Sequence, residues 1–171
     1  IDVEMSFVEQ EDVIQLNEAL AKQLFSELLG EEFTKDFTRL TYAEAMSRYG
    51  TDRPDTRFGL ELTDVTDIAH KTEFRVFTGA EHVVALHADH EFSRSEIDEL
   101  TEVAQTYHAK GLAWTTYDGE QLDGGVAKFL KPITQELVNA LELSAGETIF
   151  FVADKKRTAQ TALGAVRTQL G

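Results

Sequence analysis

The chain opens with a period of two. Ile1, Val3, Met5 and Phe7 alternate with Asp2, Glu4 and Ser6, the spacing of a strand with one apolar and one polar face. The period then lengthens: Val13, Leu16, Leu20, Leu24 and Leu28 recur at helical spacing, with acids in the first turn and Gly30 past the end. LTYAEAMSRYG predicts a second helix, opened by a Thr41–Glu44 capping box and stopped at Gly50. FGLELTDV (58–65), EFRVF (73–77) and HVVALHA (82–88) read as strands. Residues 93–111 read as a helix with a Ser93–Glu96 capping box and Gly111 as its stop, and LAWTTYDG (112–119) as a strand running into a turn. PITQELVNALEL (132–143) predicts a helix with Pro132 at its first position, TIFFVAD (148–154) a buried strand, and 155–170 a last helix. Strands and helices mix without a strict βαβ rhythm, so an α+β fold is expected rather than a doubly wound sheet.

A length of 171 residues suits one domain, or one domain plus part of another, and 42% apolar residues with 11 Phe can supply its core. No apolar run approaches the length that spans a bilayer. The chain starts without Met, inside what reads as a strand, and no signal peptide is visible, so a fragment or excised domain is expected. The absence of cysteine excludes disulfides, thiolate metal sites and Cys nucleophiles, and fits a reducing cytoplasm. A net charge of −15 argues against non-specific attraction to DNA, RNA or an anionic membrane. The charge is uneven, however: residues 1–36 hold ten acids and two bases, whereas 155–171 hold four bases and no acid.

Several clusters carry possible chemistry. Asp2 and Glu4, two apart on a strand, would point to one face, where paired carboxylates can grip an ammonium or simply face solvent. HADH (87–90) brings His87, Asp89 and His90 close in sequence, but a metal site needs three or four converging ligands, and a polar turn is the simpler reading. DGEQLDGG (118–125) lacks the strand and helix context of a nucleotide loop and reads as a hairpin turn. Lys155, Lys156 and Arg157 stand at a helix start, where bases oppose the helix dipole unless an anion balances them. They are phosphate-contact candidates, or a solvated patch on an acidic body. SRYGTDRPDTRFGLEL (47–62) packs three arginines, two aspartates and a proline into a loop, with Arg53 forced towards an extended conformation by Pro54.

IDVEMSF resembles the acidic end of motif 2 in class II aminoacyl-tRNA synthetases, and RLTYAEAMSRYGTDRPDTRFGLELTDVTD is similar to a signature of bacterial-type aspartyl-tRNA synthetases. SRSEIDEL, AKGLAW, VAKFL and IFFVADKKRTAQTALGAVRTQLG continue the resemblance in order over nearly the whole chain. Family members carry Lys where Arg53 stands, and often a PGG-like turn where this chain reads HADHE. The resemblance implies an incomplete class II catalytic-domain segment over 1–66 and an inserted GAD-type domain with its return helix over 67–171. That insertion is expected to be a two-layer antiparallel sheet with helices.

By position, Asp2 would face the amino group of bound aspartate, with Glu4 beside it. Lys155, Lys156 and Arg157, with Lys128 and Lys131, would contact phosphates of the tRNA acceptor arm. Asp52, Arg53, Asp55 and Arg57 would form a hinge, or a flap over the active-site side. The whole family enzyme, a cytoplasmic homodimer, would use ATP and Mg2+ to aspartylate tRNA. This stretch lacks motif 1, motif 3 and the anticodon barrel, holds no metal site of its own and is expected to be inactive alone. The alternative is a module that braces the catalytic domain or the dimer without touching RNA.

Overall fold

The computed structural model describes residues 2–171. Two compact units divide the chain, Ile1–Leu40 and Thr41–Gly171.

In the first unit, helix α1 (Gln10–Leu29) begins at a capping box between Glu9 and Asp12 and ends on Gly30 at φ 70°. Residues 31–40 return along it. Phe33 sets its edge on Phe25 with ring centroids 5.0 Å apart, and Arg39 pairs with Glu11 at 3.0 Å and Glu18 at 2.9 Å. No residue of α1 is buried. The strand expected at the N-terminus is not formed: residues 2–5 have no regular structure, and Val3 is 48% exposed. Alternation alone does not make a strand, because its N–H and C=O groups need a ladder partner, and residues 2–5 pair with no strand among the described residues. Ile1 lies outside the described residues.

The second unit is built on a five-stranded, wholly antiparallel sheet in the order β1–β2–β5–β3–β4. Its strands are β1 (Thr63–Asp64), β2 (His82–Ala88), β3 (Ala113–Tyr117), β4 (Leu122–Asp123) and β5 (Thr148–Asp154). The central strands are apolar on both faces, and both faces are covered. Val84, Leu86, Phe150 and Val152 point to one side, under α5 (Arg94–Thr106) and α8 (Lys156–Leu170). Val83, Ala85, Ile149 and Phe151 point to the other, under short helices α3 (Thr66–Ala69), α4 (Arg75–Thr78) and α6 (Ala127–Leu130), and under α7 (Thr134–Leu141). The α+β class and the antiparallel sheet are as expected, with helices on both faces. Helix α2 (Tyr42–Tyr49) packs on α8, so residues 41–66 fold with the sheet.

Two expected strands take other forms. Residues 73–77 run into the helix α4 instead, because Phe74 and Phe77 must turn to the same core, on Phe129 and Phe151, and a spacing of three does this only on a helical turn. Residues 58–62 form no strand, for a reason that belongs to the loop described next. Pro132 lies in a 3-10 turn (Lys131–Ile133) ahead of α7 rather than at its first position. Helix α5 ends before Gly111, with His108 in the left-handed region at φ 72°.

Candidate nucleic-acid interface

The loop between α2 and β1 is organised by a residue far away in sequence. Arg167, on the last turn of α8, is fully buried. Its Nε donates to the Leu60 carbonyl at 2.9 Å, and Nη2 to those of Asp55, Phe58 and Gly59 at 2.7, 3.2 and 2.9 Å. The guanidinium is sandwiched between Tyr49 and Phe58, 4.8 and 4.3 Å from their ring centroids. Carbonyls that converge on one cation cannot alternate along a ladder, and Leu60 is turned to φ 61°; hence no strand forms at 58–62. Burial pulls the Arg167 guanidinium below its ordinary pKa, with Tyr49 and Asp55 opposing that shift.

The loop also pairs with itself. Arg48 grips Glu61 in a fork, at 2.8 and 2.6 Å, and Arg57 grips Asp55. Hydrogen bonds from the Arg57 side chain and backbone hold the Asp55 carboxyl at a pKa of about 2. Asp52 and Arg53 are left to face a groove of about 700 Å³ whose far wall is α8, and Arg157 lies on that wall. The structure thus brings together two groups that the sequence kept 100 residues apart.

Lys155 turns to a second cleft, of about 500 Å³, where it meets Arg75 from α4 and Lys110 from the turn before β3. Glu81 and Asp154 line the same cleft. Asp154 also accepts from the Lys155 amide at 2.8 Å, which balances some of the charge at the start of α8. Lys156 lies towards Asp64. Burial pushes the Asp64 carboxyl up, but hydrogen bonds from Thr66, and then the nearby charges of His82 and Lys156, hold it below its ordinary value. Lys128 sits on the other face of the sheet, 4.7 Å from the ring of Phe129, which stacks on Phe74, the neighbour of Arg75. Lys131 is exposed in the 3-10 turn and lines neither cleft. Asp2 and Glu4 are exposed in the first unit.

The histidines of HADH separate. His87 Nδ1 is 3.2 Å from Glu147, and His90 is 3.9 Å from Glu96. Among the described residues no three metal-ligating side chains converge. DGEQLDGG holds the β3–β4 turn and β4 itself, and in the turn the Asp118 carboxylate accepts from the Glu120 and Gln121 amides. Gly125 is required beyond it, since a Cβ there would lie 2.0 Å from the Trp114 carbonyl. No helix among the described residues is long and apolar enough to cross a membrane.

Sequence reasoning missed Arg75, Lys110 and Arg167. The first two are single bases in unremarkable segments that only the fold brings to Lys155. An arginine in the last turn of a helix carries no mark of its role beyond its place on the apolar face of α8, beside Leu163 and Val166.

A family model, GAD domain, matches residues 77–163, the stretch from α4 into α8. Over its full length the chain is 43% identical to an aspartate–tRNA ligase of Shouchella clausii and 44% to one of Geobacillus kaustophilus. It is 46% identical to an aspartate–tRNA(Asp/Asn) ligase of Symbiobacterium thermophilum. The chain spans about 30% of the length of each of these relatives. With half its length matched by that model, this chain belongs to the GAD domain family.

Proposed function

We propose that this chain is part of an aspartate–tRNA ligase, and that its GAD domain helps position the acceptor arm of the tRNA. The observation that carries the reading is the cleft in which Arg75, Lys110 and Lys155 meet from three separate elements on a molecule of net charge −15. Cations gathered against that background suit phosphate oxygens, which fix an RNA's place without reading its sequence. Lys156 and Arg157 extend the contact along α8, while Lys128 and Lys131 contribute from the other face of the sheet.

On this reading the whole ligase, with a second copy and the rest of its catalytic domain as partners, performs ATP-dependent aspartylation. Asp2 and Glu4 would face the amino group of aspartate. ATP and Mg2+ are assigned to the whole ligase. The described residues do not gather a ligand set for the metal. The 52–57 loop, pinned by Arg167, serves as a stiff hinge rather than a flap.

The test is a fluorescence titration of the protein with a tRNA acceptor minihelix at about 50 and 200 mM salt. Three neutralised phosphates give a slope of log affinity against log salt of about −3. A combined Arg75→Ala, Lys110→Ala, Lys155→Ala variant should weaken binding and reduce the slope by about 3. Absence of binding at low salt would sink the RNA reading. The alternative, a brace for the catalytic domain, is favoured by the −15 charge, and it would then stand.

A further inference from the structure

The groove between α2, the end of α5 and α8 has a composition distinct from that of the phosphate cleft. We propose that it holds unpaired nucleotides of an RNA strand, with a base stacked on Tyr107 and phosphates on Arg53 and Arg157. The proposal rests on the RNA reading above and adds a second, chemically different site to it.

Of the chain's four tyrosines, the two most exposed both line this groove: Tyr42 at 62% and Tyr107 at 49%. The other two are spent elsewhere, Tyr49 against Arg167 and Tyr117 on the Gly119 carbonyl. Two large rings left in water beside two arginines are the parts of a single-strand platform, in which bases stack and guanidinium groups follow the backbone. Neither Arg53 nor Arg157 has an ion-pair partner among the described residues, since Arg57 takes up Asp55. Asp52 lines the same groove.

The α8 side of the groove carries short side chains. Helices α2 and α8 cross at Gly50 and Gly164, and Thr161, Ala165 and Thr168 continue the surface with short side chains. A planar base can therefore lie close to α8 beside Thr161, Ala165 and Thr168. The hydroxyls of Thr106, Thr161 and Thr168 are already donated to the carbonyls of Glu102, Arg157 and Gly164. With few free groups to read base edges, the groove should accept any base. A paired duplex cannot use it, because its bases do not offer their faces.

The experiment is a titration of the protein with an unstructured RNA of about six nucleotides carrying 2-aminopurine, whose emission falls on stacking, set against a blunt-ended RNA duplex. Tyr107→Ala should weaken single-strand binding about 5- to 150-fold and abolish the fluorescence change. Tyr107→Phe, which keeps the ring, should preserve both, and purine and pyrimidine strands should bind alike. Arg157→Ala should lower the salt slope by about 0.7. Unchanged single-strand affinity in Tyr107→Ala overturns the proposal. If the duplex binds with the expected salt slope and the single strand does not, this proposal falls while the RNA reading stands. If neither binds, both fall.

Discussion

A guanidinium carries five N–H donors and no acceptor, so burying one requires carbonyls held ready for it. Arg167 finds four, and its two aromatic neighbours cover the faces of the group. Arg167→Met would strip those carbonyls of their donor inside the protein. The expected loss is about 3–5 kcal/mol of unfolding free energy, read from urea denaturation. Arg167→Lys should recover only part of that, since an ammonium cannot present the planar fork. Asp55 supplies a pH test. Its carboxyl is held at about 2, below the ordinary 3.8, chiefly by the Arg57 side chain. Its contribution is therefore complete above pH 3.8 and is lost as pH falls towards 2. The urea midpoint of Asp55→Asn should accordingly depend less steeply on pH over that acid range than that of the unaltered protein.

Helices α2 and α8 approach so closely that a Cβ on Gly164 would stand 2.6 Å from the Tyr49 carbonyl and 2.8 Å from the Gly50 Cα. Backbone on both sides leaves no room to yield. Gly164→Ala should therefore cost about 1–3 kcal/mol despite its better helix propensity, and a thermal melt would show it. At the helix starts, Thr41→Ala removes the hydroxyl that accepts from the Glu44 amide and should cost about 1 kcal/mol in the same assay. Such elements were legible in the sequence because their signals are local: both capping boxes, the left-handed Gly30 and Gly50 and the apolar cores of β2 and β5 all stand where the pattern put them, whereas Gly111 does not end α5. The misread segments depend on distant partners. Residues 58–62 answer to Arg167, residues 73–77 to Phe129 and Phe151, and 2–5 to a ladder partner that no described strand supplies. The candidate site divides in the same way. The bases at the start of α8 were visible, and the side chains that meet them were not.

The two units differ in what holds them together. Thr41–Gly171 has two buried clusters on the faces of one sheet. Helix α1 buries no residue and leaves Val13, Leu16, Leu20, Leu24 and Leu28 exposed along one stripe. Removal of residues 1–40 should thus leave a folded protein with a cooperative urea transition and dispersed amide resonances, whereas a peptide of residues 1–40 should be only partly helical by circular dichroism. Loss of the transition in 41–171 would show that the first unit is required for folding. Within the sheet unit, α8 has a role at each end: Lys155 at its cap turns to the basic cleft and Arg157 to the groove, and Arg167 in its last turn holds residues 55–60. Its 15 residues make a rod of about 22 Å. Such a rod works as a lever. A load taken up at Lys155 or Arg157 that tilts α8 must pull on the 55–60 loop or break four hydrogen bonds to stay clear of it, so whatever the basic end grips is also felt, mechanically, at the stretch that leads into the sheet.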